Sequence, residues 1–196
     1  PDRDDGCLLK FDTIIAPISR EEAVEQGYLA ETSLHSFVNI SKNDKTDIVS
    51  EIVDNFSHLM GQTMVFVRTK KEAKAIAEHV SSKGFKAVAV LSQSEAELNN
   101  ILDQFGRGEI QFIVNCNKIS EGVDVKGCTD VVLGRTIGSY AMLNQIIGRA
   151  ARPDSPCSVW ELINPLSSRN MDTTVIVGVP KQHTLHSKER GQWVDR

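Results

Sequence analysis

The stretch TMVFVRTKKEAKAIAEHVSSKGFKAVAVL, residues 63–91, contains the pattern that decides the fold class. It opens with a short β-type run, and Thr69 and Glu72 then have the spacing of a capping box at the start of a helix. The apolar residues that follow recur at helical spacing: Ala73, Ile76, Ala77 and Val80. Gly84 ends this helix, and a second β-type run follows at residues 87–91. The stretch therefore predicts a strand, a helix and a second strand in succession.

The same alternation of apolar runs and amphipathic helices continues on both sides of this unit. Further capping boxes are predicted at two pairs, Ser19 with Glu22 and Ser94 with Glu97. Further strands are expected at residues 112–114, 131–133 and 159–163, and further helices at residues 48–59, between Ser94 and Gly106, and at residues 140–151. This alternation predicts a doubly wound α/β fold, a mainly parallel sheet with helices on both faces. Ligands of such sheets bind at the carboxyl ends of the strands.

The composition excludes several classes of protein. The 196 residues are 40% hydrophobic and 24% charged with a formal net charge of −4, which argues against a disordered, collagenous or coiled-coil chain. No apolar run approaches the ~20 residues of a membrane span, so no membrane partner is expected. The four cysteines contain no C-x-x-C pair, which indicates neither a zinc site nor a disulfide framework and favours a cytoplasmic location. The chain begins at Pro1 without a methionine, and we expect it to be part of a longer polypeptide.

The predicted helix at residues 140–151 carries side chains of phosphate-binding types. Its apolar residues cluster on one side, as a core-facing stripe should: Leu143, Ile146, Ile147 and Ala150. Gln145, Arg149 and Arg152 lie within roughly 60° of one another on nearly the opposite side. Two guanidinium groups and an amide on one narrow face suit phosphate oxygens. The same spacing also occurs on an ordinary solvated helix face, and spacing alone leaves both interpretations open.

Two loops at expected strand ends carry further candidates. In the loop at residues 115–124, Gly122 permits backbone conformations that are closed to other residues. Asp124 either accepts a hydrogen bond from a ribose hydroxyl or caps a turn, and the residues alone do not separate the two. At residues 68–71, RTKK, a strand end passes into a helix N-terminus, where N–H groups and basic side chains can hold a backbone phosphate.

Other notable side chains have simpler explanations. His183 and His186 have a spacing that can place two imidazoles together, but no third metal ligand is evident. Trp160 is expected in the core or at a partner contact. Residues 188–196, including Trp193, are predicted to form a solvated tail.

Two sequence motifs that ATP hydrolysis requires do not occur in the chain. No G-x-x-x-x-G-K-[ST] loop is present to hold the β-phosphate of a nucleotide. No Asp-Glu pair follows an apolar strand to bind Mg²⁺ and position water. We therefore expect the chain to contribute cations to a nucleotide site that is built elsewhere.

Several segments together resemble the motifs of superfamily-two helicases. QIIGRAAR at residues 145–152 resembles motif VI, SEGVD at residues 120–124 resembles motif V, and MVFVRT at residues 64–69 resembles motif IV. PDRDDG at residues 1–6 is similar to the segment directly after motif III, and EAVEQGYL at residues 22–29 is similar to a linker in helicases allied to bacterial repair helicases and type I restriction motors. The resemblance covers residues 1–165. Excision-repair proteins of the UvrB kind share a similar motif VI.

The resemblance implies that the chain is the second, C-terminal RecA-like domain of a two-domain ATP-dependent motor. It implies an interdomain linker at residues 1–32, the RecA-like domain at residues 33–165 and a C-terminal extension at residues 166–196. The N-terminal RecA-like domain of the same polypeptide would hold ATP and the ligands of Mg²⁺, so the chain by itself is expected to be inactive. DNA is the expected nucleic acid, with RNA as the alternative.

The same resemblance assigns roles to the candidate residues. Arg149 and Arg152 would reach the γ-phosphate of ATP as arginine fingers, and Gln145 would help to order that contact. Gly122 and Asp124 would lie on the ribose side of the nucleotide. The residues implied to face the nucleic-acid backbone are Arg68, Thr69, Asn117 and Lys118.

A second hypothesis, from another class, is a non-motor Rossmann-like module that binds a small phosphorylated ligand. The missing phosphate loop fits both hypotheses, because part of a motor and a binding module would both lack it. They differ at residues 145–152, since a binding module does not need two arginines that face outward across a gap between domains. This segment therefore favours the motor.

Overall fold

The computed structural model describes residues 18–38, 46–116, 125–135, 137, 140–148, 150, 155–163, 173–174, 180–189 and 192–195. Its helices are α1 (Arg20–Glu25), α2 (Thr46–Phe56), α3 (Lys70–Ser82), α4 (Glu95–Gly106) and α5 (Tyr140–Ile147), and a 3-10 turn (Ser57–Leu59) follows α2. Its strands are β1 (Thr32–Val38), β2 (Thr63–Phe66), β3 (Ala87–Val90), β4 (Phe112–Asn115), β5 (Asp130–Leu133), β6 (Cys157–Ile163), β7 (Gln182–Glu189) and β8 (Gln192–Asp195). Within these stretches, no helix has the length and apolar character that crossing a bilayer requires.

The strands of the described residues form one sheet in the order β3-β4-β2-β5-β6-β1-β7-β8. Neighbouring strands are parallel throughout, except that β7 and β8 form an antiparallel hairpin. Parallel neighbours need crossover connections, which helices usually supply. The predicted doubly wound, mainly parallel sheet is confirmed.

Helices cover both faces of the sheet, and each face has its own apolar core. The buried residues that α4 and α5 contribute to the first core are Leu98, Leu102, Phe105, Leu143, Ile146 and Ile147. Those that α2 and α3 contribute to the second core are Val49, Ile52, Val53, Ala73, Ile76, Ala77 and Val80. Met64 and Phe66 of β2 face the first core and Val65 faces the second, because side chains alternate along a strand. The central strands are largely apolar because both faces are covered, and their buried polar residues lie at strand ends: Thr63, Asn115 and Asp130.

Three helices begin at the capping boxes that the sequence predicts. In each, the hydroxyl of the first residue accepts a hydrogen bond from the backbone N–H three residues later. The carboxylate of that later glutamate accepts a hydrogen bond from the backbone N–H of the first residue. The pairs are Ser19 with Glu22, Thr69 with Glu72 and Ser94 with Glu97. The N–H and hydroxyl of Ser94 lower the pKa of Glu97, because they favour its charged form. The predicted helix at residues 48–59 ends earlier than expected, and the 3-10 turn after α2 leaves Leu59 exposed.

At the amino-terminal edge of the sheet, Asp130, the first residue of β5, is hydrogen-bonded to neighbouring segments. Its Oδ1 accepts a hydrogen bond from Trp160 Nε1 at 2.8 Å. Its Oδ2 accepts from the Gly61 N–H at 2.9 Å and from the Thr129 hydroxyl at 2.7 Å. A Cβ at Gly61 would approach Thr129 Oγ1 to 2.5 Å, so the chain passes this point only as glycine without rearrangement. This network joins β5, β6 and the segment before β2, with Trp160 in the core.

The sequence pattern does not predict β1, β7 or β8. The residues predicted as a solvated tail include β8, and Trp193 packs edge-on against Phe37 with 5.1 Å between ring centroids. β7 was missed because its sequence, QHTLHSKE, is polar and contains only one aliphatic side chain, Leu185. β7 and β8 therefore extend the sheet into the residues predicted as a C-terminal extension.

Candidate functional site at the carboxyl edge of the sheet

The carboxyl ends of the central strands meet at one edge of the sheet. In the register of the strands, Phe66 of β2 lies beside Asn115 of β4 and Leu133 of β5. The segments that leave these strands therefore lie side by side, as the ligand-binding loops of such sheets do. The half-buried Cys116 donates a weak hydrogen bond from Sγ to Arg68 O at 3.3 Å. This contact links the segments after β2 and β4.

Arg68 and Thr69, two of the predicted nucleic-acid contacts, connect β2 to α3. The Thr69 hydroxyl accepts a hydrogen bond from the Glu72 N–H at 3.1 Å. The Glu72 carboxylate accepts from the backbone N–H groups of Arg68 and Thr69 at 3.0 and 3.1 Å. Thr69 thus has a structural role as the N-cap of α3. Its hydroxyl keeps its own proton for donation to a further acceptor.

The Arg68 guanidinium is 64% exposed and is paired with Glu72, with 3.2 Å between Nη2 and Oε1. The Glu72 side chain is only 16% exposed, but its carboxylate keeps two backbone N–H donors when Arg68 leaves, and a helical pair with one largely exposed partner contributes about 0.5 kcal/mol. Replacing this carboxylate by a phosphate oxygen as the partner of Arg68 therefore costs little free energy. Arg68 is able to bind a phosphate with little loss of stability.

A second cationic side chain, Lys70, connects this edge to the neighbouring loop. Its Nζ lies 2.5 Å from Ser92 Oγ in the loop between β3 and α4. Gln93 holds this loop, because its side-chain oxygen accepts from the Leu91 N–H at 2.6 Å and its amide donates to Ala89 O at 2.9 Å. Ser92 is not among the predicted site residues, although polar residues directly after a predicted strand are a signal for such a loop.

The helix α5 presents Gln145 to solvent. α5 ends at Ile147, four residues before the predicted end of this helix. The residues predicted as a core-facing stripe are buried: Leu143, Ile146, Ile147 and, beyond the end of α5, Ala150. Arg135, which follows β5, places Nη2 3.1 Å from Met142 Sδ on α5, one turn before Gln145. This contact joins the carboxyl edge to the helix that carries Gln145. Arg135 was not predicted, and a basic residue just after a predicted strand is the signal that could have found it.

The donor set at this edge suits phosphate oxygens rather than a metal ion. Arg68, Lys70 and Lys71 are exposed cations, whereas the Glu72 carboxylate already accepts from three N–H groups. In the stretches that the structure describes, no three His, Cys, Asp or Glu side chains are grouped so that they could hold a metal. The exposed cations of this edge are side chains of the types that bind phosphate oxygens.

Comparison with known proteins now decides the family. A family model described as helicase conserved C-terminal domain matches residues 44–154, more than half of the chain. The chain belongs to this helicase family. The resemblance of its motifs IV to VI to those of superfamily-two helicases is thereby confirmed.

Curated relatives of this helicase domain match over part of their length. UvrABC system protein B of Thermotoga neapolitana is 31% identical over 121 residues, which are 59% of this chain and 18% of that protein. The putative ATP-dependent helicase IRC3 of Saccharomyces cerevisiae is 22% identical over 150 residues, which are 74% of this chain and 22% of that protein. The chain thus spans about a fifth of the length of these relatives.

Solved structures confirm the fold class of the helicase domain. The C-terminal domain of the DEAD-box protein Dbp5 has a TM-score of 0.63 at 16% identity and covers 82% of this chain and 92% of that chain. The RNA-helicase Prp28 from Chaetomium thermophilum bound to ADP has a TM-score of 0.57 at 19% identity and covers 69% of this chain and 33% of that chain. The helicase domain therefore has the RecA-like fold.

The structure describes three of the predicted site residues of this helicase domain. Arg68 and Thr69 lie together where β2 passes into α3, and Gln145 lies on the exposed face of α5. The remaining predicted site residues lie outside the described residues: Asn117, Lys118, Gly122, Asp124, Arg149 and Arg152.

Proposed function

We propose that the chain is the C-terminal motor half of an ATP-dependent helicase or translocase that acts on DNA. Arg149 and Arg152 reach, as arginine fingers, the ATP that an N-terminal RecA-like domain of the same polypeptide holds together with Mg²⁺. Gln145 orders that contact, and Gly122 and Asp124 lie at the ribose. The observation that carries the proposal is the exposed position of Gln145, opposite a buried stripe, at the first residue of QIIGRAAR.

An arginine finger from a second domain links ATP hydrolysis to movement. Its guanidinium stabilises the negative charge of the transferred phosphoryl group and contributes roughly 10³ to 10⁵ in rate. Because the finger and the bound ATP lie on different domains, hydrolysis requires that the domains close. Each cycle of closing and opening then displaces the nucleic-acid contacts of one domain relative to those of the other.

The nucleic-acid strand is proposed to run along the carboxyl edge of the sheet. The proposed contacts to its backbone are Arg68, Thr69, Asn117 and Lys118. The exposed guanidinium of Arg68 and its weak pairing with Glu72 support this assignment. Backbone contacts carry no sequence information, so they suit a motor that steps across any sequence.

The test uses the complete polypeptide, including its N-terminal RecA-like domain. ATP turnover is measured without nucleic acid and with single-stranded DNA, double-stranded DNA or RNA. For Arg149→Ala we expect stimulated turnover to fall by about 10³-fold or more while ATP binding is retained, because the finger acts on the transition state. We expect the 196-residue chain alone to show no turnover.

Arg107→Ala is the matched control for this test. Arg107 is an exposed arginine after α4 whose Nε lies 2.6 Å from Glu109, and its replacement should leave turnover unchanged. Stimulated turnover that stays within about tenfold of the parent in Arg149→Ala excludes the finger role. If RNA but not DNA stimulates ATP turnover, the proposed nucleic acid is RNA instead of DNA. If neither stimulates turnover, the result supports the non-motor phosphate-binding module.

A further inference from the structure

The hairpin of β7 and β8 is attached to the helicase domain through β1, outside the residues that the family model matches. In the register of the strands, His183 lies beside Leu34 and His186 lies beside Phe37. Because side chains alternate along a strand, His183 and His186 lie on opposite faces of β7. The two do not form the pair that their spacing suggests. His186 instead meets His35 of β1.

His35 and His186 lie in an aromatic part of the second core. His35 Nδ1 is 3.3 Å from His186 Nε2. The His35 ring stacks on Trp160 with 3.9 Å between centroids, and the His186 ring stacks on Phe37 at 4.3 Å. His186 is only 2% exposed. The two imidazoles therefore form a contact between β1 and β7 that is largely shielded from water.

The hydrogen bonds of this pair define where its protons lie. Asp195 of β8 accepts from His186 Nδ1 at 2.6 Å, so the neutral His186 ring presents an unprotonated Nε2 to His35. That Nε2 accepts the proton of His35 Nδ1. Protonation of both rings would place two donors and two positive charges face to face in a buried site. The docked pair therefore binds fewer protons than two solvated histidines do.

The surroundings of the pair do not compensate two positive charges. Asp195 on β8 and His183 on β7 act on the charge of His35, and an ion pair between Lys188 on β7 and Glu51 on α2, with 2.5 Å between Nζ and Oε2, lies on the same face. β6 contributes the neutral ring of Trp160. Asp195 can balance one imidazolium, and Glu51 is already paired.

On the opposite face of the same strands, His183 has a different environment. Its Nε2 lies 3.0 Å from Ser36 Oγ, which donates to the Glu161 carboxylate at 2.7 Å. Thr173 also donates to Glu161. His183 thus belongs to a separate hydrogen-bonded group with Ser36 and Glu161, and its charge adds to the lowering of the pKa of His35.

We propose that His35 and His186 form a proton-binding pair whose protonation releases the hairpin of β7 and β8 from β1. Release separates the two rings and hydrates them, so each can then carry its own charge. The ligand of this site is the hydrogen ion. The proposal depends on the contact between β1 and β7 alone and not on the proposed helicase activity.

The acidic direction of the switch follows from proton linkage. Burial, with a smaller effect of His186, lowers the pKa of His35 from 6.5 to about 4. Burial also lowers the pKa of His186, against the opposing effect of its hydrogen bond to Asp195. The released rings have pKa values of about 6.5, so the released state binds more protons. Docking is therefore strongest above pH 6.5 and weakens as the pH falls towards 4.

Hydrogen exchange of backbone amides tests the proposal in the unmodified chain. Protection factors of β7 and of the central strand β4, corrected for intrinsic exchange, are compared at about pH 7.5 and about pH 5. From the two pKa values of His35, opening of β7 should increase about 25-fold between these conditions, and His186 adds to this effect. The protection of β4 should stay unchanged.

One variant and a matched control test whether His35 is responsible. His35→Phe removes one titratable ring and keeps an aromatic ring against Trp160. The pH dependence of β7 amide protection should therefore decrease to the contribution of His186 alone. His79→Phe is the matched control, because His79 is half-buried on α3 beside Asp54 at 2.8 Å and should leave the dependence unchanged.

Three results would overturn the proposal. The first is β7 protection that does not change between the two pH values, a measurement that needs no variant. The second is an equal loss of protection in β4, which would indicate general acid unfolding. The third is a pH dependence that survives His35→Phe in full.

Discussion

The two edges of the sheet hold their polar side chains in opposite ways. At the amino edge, Asp130 is only 4% exposed and accepts three hydrogen bonds from neighbouring segments. At the carboxyl edge, Arg68 is largely exposed and has a single screened ion pair with Glu72. A buried group with all its bonds made stabilises one arrangement, whereas an exposed and weakly paired group can change partner.

This difference separates stability from binding within one sheet. Substitutions at the amino edge should lower the free energy of unfolding, because they leave buried donors without acceptors. Substitutions at the carboxyl edge should change ligand binding and leave the fold nearly unaffected. Variants at both edges test that separation, and their expected effects decrease from Asp130 to Arg68.

The largest effect is expected for Asp130→Ala. Trp160 Nε1 loses its acceptor in a buried site, which costs about 1–3 kcal/mol, whereas the N–H of the exposed Gly61 can turn to water. We expect the free energy of unfolding to fall by about 1–3 kcal/mol. Urea denaturation of the chain, monitored by far-ultraviolet circular dichroism, measures it.

Asp103→Ala is the matched control, because Asp103 is an exposed aspartate on α4. It should change the free energy of unfolding by less than about 0.5 kcal/mol. If Asp130→Ala lowered the free energy of unfolding as little as the control, the hydrogen bonds of Asp130 would not be stabilising the amino edge of the sheet.

The centre of this fold could be predicted from sequence because its signals are local. The strands β2 to β6 are short apolar runs, and the capping boxes at Ser19, Thr69 and Ser94 mark helix starts directly. Such signals need no information on what packs against them. The order of the strands in the sheet, in contrast, is known only from the structure.

The strands β1 and β7 could not be predicted because their polar residues have partners far away in sequence. His35 is paired with His186, and Ser36 is hydrogen-bonded to Glu161 and His183. Only the pairing of distant strands makes them suitable for a sheet interior.

For the candidate site, sequence located the residues but not their connections. The positions of Arg68, Thr69 and Gln145 agree with their predicted elements. The contact of Lys70 with Ser92 was missed because the crossover from β2 to β3 brings these residues together, and that of Arg135 with Met142 because it depends on how the chain enters α5.

A smaller effect is expected for Thr69→Ala, which removes the N-cap of α3. The Glu72 N–H loses its acceptor at 3.1 Å, and the loss of such a cap costs about 1 kcal/mol. Thermal and urea unfolding of the chain measure this loss.

Thr69→Ser separates the capping role from other roles of the residue. Serine keeps the hydroxyl and should retain most of the stability. If Thr69→Ser were as unstable as Thr69→Ala, the methyl group rather than the cap would account for the loss.

The smallest change in stability, and the clearest change in binding, is expected for Arg68→Ala. Because the Arg68 side chain is 64% exposed and Glu72 keeps its two backbone N–H donors, the free energy of unfolding should change by less than about 0.5 kcal/mol. In the complete polypeptide, loss of one phosphate contact should reduce the dependence of single-stranded DNA affinity on salt by about 0.7 in the log–log slope. Arg107→Ala, also an exposed and paired arginine, should leave that slope unchanged. An unchanged slope in Arg68→Ala would remove Arg68 from the nucleic-acid path, whereas a large loss of stability would place it with Asp130 among the fixed groups of the fold.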